Sequence, residues 1–287
     1  MRARDRHQTS GIRRQHSAVS LLISAFCLLL SSCSPVRPVV KIALVAPFEG
    51  RYRNVGYEVI YAVRLAVREA NARGGVAGYS VELLALDDSG DPTMAAEQAR
   101  KAAADPQVLG AMGHWLGGDT ETAAPIYDAE GIPFLATGQP SAVSGQQSAF
   151  LLGLSSCPST ALCPESVEHL RQWAAEGKSI APDTRLIFPA PLPTDSSDPD
   201  FAERYRAIAN GTEPSFNAVL GYDAANLLLN AIASDAQANG APTRAGVLAA
   251  LAQSDYAGLS GRIRFDEQHN WVEAKGWEYK WREVVKP

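Results

Sequence analysis

The sequence predicts an α/β fold built on a parallel, doubly wound sheet, and three observations lead there. Apolar runs of strand length alternate with amphipathic stretches of helix length across residues 39–136. Gly, Pro and Asp stand where each element must stop. No period of 20–50 residues recurs, which excludes a solenoid.

The first strand is the run Val39-Val40-Lys41-Ile42-Ala43-Leu44-Val45-Ala46, stopped by Pro47. In the helix that follows, Val59, Ile60, Val63, Ala66, Val67 and Ala70 recur at helical spacing. Glu58, Arg64, Arg68 and Glu69 take the other face, and Gly74-Gly75 ends the element. A strand over 81–86 comes next. Asp91 as cap and Pro92 in the first turn then open a helix to about residue 104. A strand over 108–112, a helix over 119–130 and a strand over 132–136 complete four βα steps. Beyond residue 140 the pattern loosens into a polar stretch, a short apolar strand over 151–154, a helix over 164–176 and the run Leu186-Ile187-Phe188. Pro189, Pro191, Pro193 and Pro199 mark a linker. Helices over 201–210, 222–233 and 243–252 follow, with Asp223 read as a helix cap and Tyr222 as packing. A terminal pair of strands is expected around 261–265 and 277–281.

In doubly wound sheets ligands bind outside the carboxyl ends of the strands, so the informative residues lie in the loops at 47–52, 87–90, 113–120 and 137–140. Phe48, Trp115, Gly117, Gly118, Thr120, Thr137 and Gly138 are the candidate ligand contacts. Gly117-Gly118 lets backbone approach a ligand, and the free amides of Asp119, Thr120 and Glu121 at a helix start suit a carboxylate. Two plainer roles compete: Asp119 as a cap of its own helix, and Trp115 as a packing residue. His114 reads as a satisfied structural histidine. Asp87-Asp88 point to opposite faces and read as a capping and turn element rather than a metal site. Gly-x-Ser-x-Gly, the phosphate loop and HExxH are absent, so no catalytic residues, cofactor or metal are expected.

The first 33 residues stand apart. Five arginines and one acid precede the apolar run over 18–30, which ends in Ser31-Ser32-Cys33. That is the layout of a secretory signal, too short for a membrane span of roughly 20 residues. Leu30-Ser31-Ser32-Cys33 resembles the bacterial lipobox, which implies cleavage before Cys33 and its lipidation; an ordinary cysteine near a general cleavage site is the alternative. Without this segment 21 basic side chains face 30 acidic ones, a net of −9, which argues against nucleic acid as a partner. Cys157 and Cys163 remain as a pair, expected to form a small disulfide loop in an oxidising compartment.

The motif set resembles the type I periplasmic binding proteins typified by the leucine/isoleucine/valine-binding protein of branched-chain amino acid ABC transporters. Pro47-Phe48-Glu49-Gly50, Gly74-Gly75-Val76-Ala77-Gly78, Asp87-Asp88 through Asp91-Pro92, Gly113-His114 with Thr120, Pro125-Ile126-Tyr127 and Gly131-Ile132-Pro133 carry the first half. Gly221-Tyr222-Asp223-Ala224-Ala225 and Gly261-Arg262-Ile263-Arg264-Phe265-Asp266 carry the ending. The signal peptide thus spans 1–32, and the resemblance implies a first lobe over 38–138 plus 197–257 and a second over 139–196 plus 258–287. That second lobe is a truncated α/β unit, with about 25 residues where a full member has several βα units. The family's carboxylate for a ligand ammonium belongs soon after the helix over 164–176, where Gly177-Lys178-Ser179-Ile180-Ala181-Pro182 offers no acid. Thr137 and Thr120 are carried over as ligand contacts. The implied function is capture of a small polar metabolite, an amino acid or related carboxylate, for an ABC permease, by a protein outside the cytoplasm whose only membrane attachment is the lipid at Cys33. The alternative is an envelope interaction or sensor lipoprotein using the fold as a docking surface.

Overall fold

The computed structural model describes residues 37–138, 147–154 and 156–285; the signal segment and Cys33 lie outside them. Five strands, β1 (Val39–Ala46), β2 (Ser80–Asp87), β3 (Val108–Gly113), β4 (Phe134–Gly138) and β5 (Ala149–Gly153), form one parallel sheet in the order β2-β1-β3-β4-β5. Parallel strands are covered on both faces and therefore read as continuous apolar runs. Residues 42–46 of β1 and the whole of β3 and β5 are buried.

The crossover helices are α1 (Arg53–Ala72), α2 (Pro92–Ala104) and α3 (Gly117–Ala129). Asp91 caps α2 as expected, accepting from the amides of Thr93 and Met94 at 2.8 and 3.0 Å with Pro92 in the first turn. Alternation along the strands sorts two cores. Ala43, Ala111 and Ala136 share a cluster with Ala99, Ala102, Ala123 and Ala124, and these small side chains let α2 and α3 lie close to the sheet. Ile42, Leu44, Met112 and Leu135 join the other cluster with α1 and the long helix later in the chain.

Several later elements differ from expectation. The segment at 149–153, which falls within the expected second lobe, pairs with β4 as the fifth strand of the main sheet. Its sequence, Ala-Phe-Leu-Leu-Gly, is apolar on both faces, as a covered parallel strand requires. After α4 (Val167–Ala175), β6 (Arg185–Phe188) and α5 (Phe201–Arg206), helix α6 runs Phe216–Asn239. Tyr222 and Asp223 thus lie inside α6, and Asp223 is no cap. It is buried and accepts the amides of Leu259 and Ser260 at 2.7 and 2.8 Å, while burial pushes its carboxyl up to about 6. Gly258 permits this approach, because a Cβ there would sit 2.7 Å from Asp223 Cγ.

Helix α7 (Arg244–Ala252) leads to β7 (Tyr256–Gly258), β8 (Gly261–Ile263), β9 (Trp277–Lys280) and α8 (Trp281–Val284). The expected terminal pair does not pair with itself. β8 forms a hairpin with β7, and β9 runs antiparallel to β6. Strands of three or four residues carry too little periodicity to name a partner.

Besides β5, which joins the main sheet, and β8, which pairs with β7, the second-lobe segments contribute β6, β9, α4 and α8, and among the described residues β6 and β9 form a sheet of two strands. Two strands alone are marginal in water. Leu186, Phe188, Trp281 and Val284 instead join the cluster of β1, α1 and α6, and residues 38–287 group as one compact unit. Cys157 and Cys163 are disulfide-bonded. Their loop is tied to β6 by hydrogen bonds from Leu162 N to Arg185 O and from Ile187 N to Leu162 O, each 2.9 Å.

Glu58, expected on the solvent face of α1, is buried. Its Oε1 accepts from the Ser215 amide at 2.6 Å, the Ala218 amide at 3.1 Å and the Ser215 hydroxyl, so α1 supplies the N-terminal cap of α6.

Candidate functional site

The strand order reverses direction between β1 and β3, which is where an open α/β sheet leaves its ligand crevice. A cavity of about 260 Å³ opens between the loops that follow these two strands and the segments facing them. Its lining includes Tyr52, Trp115, Leu116 and Gly117 from the strand-end loops, together with Pro164, Glu165 and Pro189 and, from the first turn of α6, Phe216 and Asn217. The volume lies just below the roughly 300–1,000 Å³ of drug-sized sites, which suits a small metabolite.

Buried hydrogen bonds set the loop that carries Trp115. Gly113 has φ +136, and a Cβ there would lie 2.0 Å from Val45 O, so the close approach of β3 to β1 requires glycine. His114 follows at φ +47, fully buried, with Nδ1 3.0 Å from Asp88 Oδ2 and Nε2 3.2 Å from the Tyr127 hydroxyl. The Thr120 hydroxyl donates to the His114 carbonyl, and the Gly90 amide donates to Asp88. His114 is the structural residue its sequence context suggests. On the β1 side, Asp87 Oδ1 accepts from the amides of Phe48 at 2.7 Å and Ser89 at 2.9 Å. Burial acts against its ionisation, yet these amides and the Ser89 hydroxyl hold its carboxyl below the usual range.

Of the seven candidate ligand contacts, the structure brings Trp115 and Gly117 to the cavity. The others stand elsewhere, for reasons of packing. The Phe48 ring lies edge-on to Tyr57 at 6.3 Å and packs on the core. Gly118 faces Pro92, 3.7 Å from where its Cβ would be. Thr120 and Thr137 are fully buried with their hydroxyls on the carbonyls of His114 and Gly113, which leaves neither pointing at the cavity with a free proton. Gly138 ends β4 opposite Gly153. The helix also starts earlier than expected. Gly117 opens α3 after Leu116, so Asp119 lies in the first turn and caps nothing, and the Thr120 amide is already bonded to Leu116 O at 3.0 Å.

Glu165 and Asn217 lie outside the loops that the sequence singles out, and Tyr52 lies in the 47–52 loop without being one of the seven candidates. Glu165 Oε2 lies 3.3 Å from His169 Nδ1, and Arg51 Nη2 lies 3.3 Å from His169 Nε2. A guanidinium only donates, so Nε2 accepts and the ring proton sits on Nδ1, toward Glu165. Asn217 Nδ2 donates to the Glu165 carbonyl at 2.8 Å. Trp115 Nε1 and Asn217 Oδ1 are buried without a hydrogen-bond partner among the described residues. A polar Ser215-x-Asn217 pair heading a long apolar helix is the available signal, and a helix start at Tyr222 hides it. Among the described residues no group of three or more His, Cys, Asp or Glu is placed to hold a metal ion, and no helix is long and apolar enough to cross a membrane.

Comparison with known proteins adds to this geometry. A family model described as periplasmic binding protein matches residues 39–156 and 172–283. The Leu/Ile/Val-binding protein of Escherichia coli (strain K12) is 31% identical over 93 residues, which are 32% of this chain and 25% of that protein. The match thus spans a quarter of the length of that relative. Among solved structures, the branched-chain amino acid transporter substrate binding protein of Streptococcus pneumoniae in complex with isoleucine superposes with a TM-score of 0.68 at 18% identity, covering 84% of this chain and 96% of that one. A possible leucine/isoleucine/valine-binding protein from Rhodopirellula baltica gives a TM-score of 0.69 at 15% identity, covering 89% and 100%. At these identities the likeness to the solved structures is one of fold.

Proposed function

The chain belongs to the periplasmic binding protein family, and from that premise we propose that it is an extracytoplasmic solute-binding protein that captures a small polar metabolite, an amino acid or related carboxylate, for an ABC permease. The observation that carries this reading is the cavity at the β1/β3 switch point, lined by the aromatic residues Tyr52, Trp115 and Phe216. The names of the matched relatives support the solute class. A thermal-shift screen of the purified protein against amino acids, small carboxylates and amides tests it. A binder present at a hundredfold excess over Kd is expected to add about 2.7 kcal/mol of stability. A folded sample that shifts with none of them sinks the capture reading.

Attachment to the membrane through Cys33 is part of the same proposal and rests on the lipobox resemblance. Cys33→Ser is expected to abolish incorporation of labelled palmitate and to move the protein from the membrane to the soluble envelope fraction. Continued labelling of the variant refutes the assignment.

One observation supports a second reading, an envelope interaction or sensor lipoprotein that uses the fold as a docking surface. The β6–β9 pair packs into the same hydrophobic cluster as β1, α1 and α6. The same screen separates the two: a specific shift favours capture, and silence favours docking.

A further inference from the structure

Residues 157–171 fall between the two stretches that the family model matches, 39–156 and 172–283. This segment carries the Cys157–Cys163 disulfide, and its residues Cys163, Pro164 and Glu165 line the cavity. The cavity is thus walled in part by chain outside the family match, and a covalent cross-link ends in that wall.

The two cysteines differ in access. Cys157 is exposed, as are Pro158, Ser159 and Thr160, whereas Cys163 is half-buried and Pro164 is buried. Apart from the disulfide, few bonds hold the ring over 157–163 to its surroundings. Leu162 bridges to β6, donating to Arg185 O and accepting from Ile187 N at 2.9 Å each, and Thr160 Oγ1 accepts from Arg185 Nη1 at 3.1 Å. Even a full two-stranded hairpin is marginal by itself in water, and this bridge is smaller. The wall continues directly from the ring. Pro164 follows Cys163, the Glu165 carbonyl accepts from Asn217 Nδ2 at 2.8 Å, and Ser166 Oγ accepts from the His169 amide at 3.1 Å to cap α4.

We propose that the Cys157–Cys163 disulfide is a thiol–disulfide exchange site for a dithiol reductant, and that its reduction loosens the cavity wall over 162–166. A thiolate of the reductant attacks the exposed Cys157 sulfur, and the electron pair of the broken S–S bond leaves on Cys163, which takes up a proton. The second thiol of the reductant then displaces Cys157 from the mixed disulfide. The protein gains two electrons and two protons, and the dithiol departs as a disulfide. Opening the ring returns to residues 157–163 the conformational freedom that closure had removed, and the Leu162 bridge is left to hold them alone. This inference goes beyond the capture reading, since it concerns the order of the wall and not the identity of a ligand.

The test is hydrogen exchange by mass spectrometry on the intact protein, oxidised and in excess dithiothreitol, with alkylation and peptide mapping to count thiols at Cys157 and Cys163. Both cysteines are expected to become alkylated while the circular dichroism of the fold is unchanged. Peptides over 162–170 and the peptide holding the Ile187 amide are then expected to exchange about ten- to a hundredfold faster, the loop-closure effect of a ring of this size. Those over β1 and β3 are expected to keep their protection. Cys157→Ser combined with Cys163→Ser is expected to copy the reduced state and to ignore dithiothreitol. A disulfide that resists dithiothreitol until urea unfolds the chain overturns the exchange site. Faster exchange confined to 157–161 overturns the loosened wall, and global unfolding on reduction overturns it too, by making the bond a staple of the whole fold. The oxidised and reduced wild type decide the matter even if the double variant fails to fold. No readout uses a ligand, so a thermal-shift screen without a hit sinks capture alone.

Discussion

Glu58→Ala is expected to lower the stability of the protein by about 3–5 kcal/mol, a drop in Tm of roughly 6–20 °C for a chain of this size. The carboxylate reaches from α1 to the amides of Ser215 and Ala218 and to the Ser215 hydroxyl, all at the start of α6. Ser215 does not cap the helix itself, since its hydroxyl is spent on Glu58. Truncation strands three donors in the core at about 1–3 kcal/mol each, and it removes the tie between two helices that carry one face of the sheet. Burial pushes the Glu58 carboxyl up to about 7, and hydrogen bonds from the Ser215 hydroxyl, the Ala218 and Ser215 amides and the Asn217 side chain act in the opposite direction by favouring the charged form. Glu58→Gln keeps an acceptor and is expected to lose about half as much. Urea unfolding of the two variants checks the ordering; a loss below about 1 kcal/mol for alanine sinks the idea.

The same residue shows where the sequence stops being legible. Helical spacing places Glu58 opposite Val59 and Val63, and an acid on that side reads as solvated. The side chain is buried because α6, more than 150 residues away in the chain, packs across it. The sheet was legible because parallel strands covered on both faces must be apolar throughout, which 39–46 and 108–113 display without reference to any partner. Pairings in the second-lobe segments were not. β6 meets β9 through Arg185 and Glu278, which are 93 positions apart. The site divides the same way. Trp115 and Gly117 follow directly from the rule that ligands sit beyond strand ends, since they belong to the loop that leaves β3. Thr120 and Thr137 obey the same rule and yet turn inward, because carbonyls of the crowded Gly113-His114 corner lie within reach of their hydroxyls. Glu165 and Asn217 belong to no strand end and become neighbours only when the start of α6 meets the segment ahead of α4.

Asp119→Asn is expected to stabilise the protein at alkaline pH and to change little in acid. Asp119 is 2% exposed in the first turn of α3, and its Oδ2 has no partner among the described residues. Burial first, then the charges of Asp88 and Asp91, push its carboxyl up to about 7. The helix dipole favours the anion at this position, but by roughly 0.3–1 kcal/mol, less than the cost of burying an unpaired carboxylate. Between its ordinary range near 4 and about 7 the folded protein keeps a proton that the unfolded chain has released. Stability from this group is therefore complete below about pH 4 and is lost as the pH rises through 7. Asparagine imitates the protonated form at every pH. The difference in unfolding free energy between variant and wild type is expected to be near zero at pH 4 and to reach on the order of 2–4 kcal/mol in favour of the variant at pH 8. Asp223, pushed up to about 6 by burial, moves stability in the same direction, so the variant keeps a shallower decline of its own. Urea midpoints of both proteins at pH 5 and pH 8 decide it: parallel declines for wild type and variant show that Asp119 is ionised in the fold at no cost, and only a widening gap supports a proton held there.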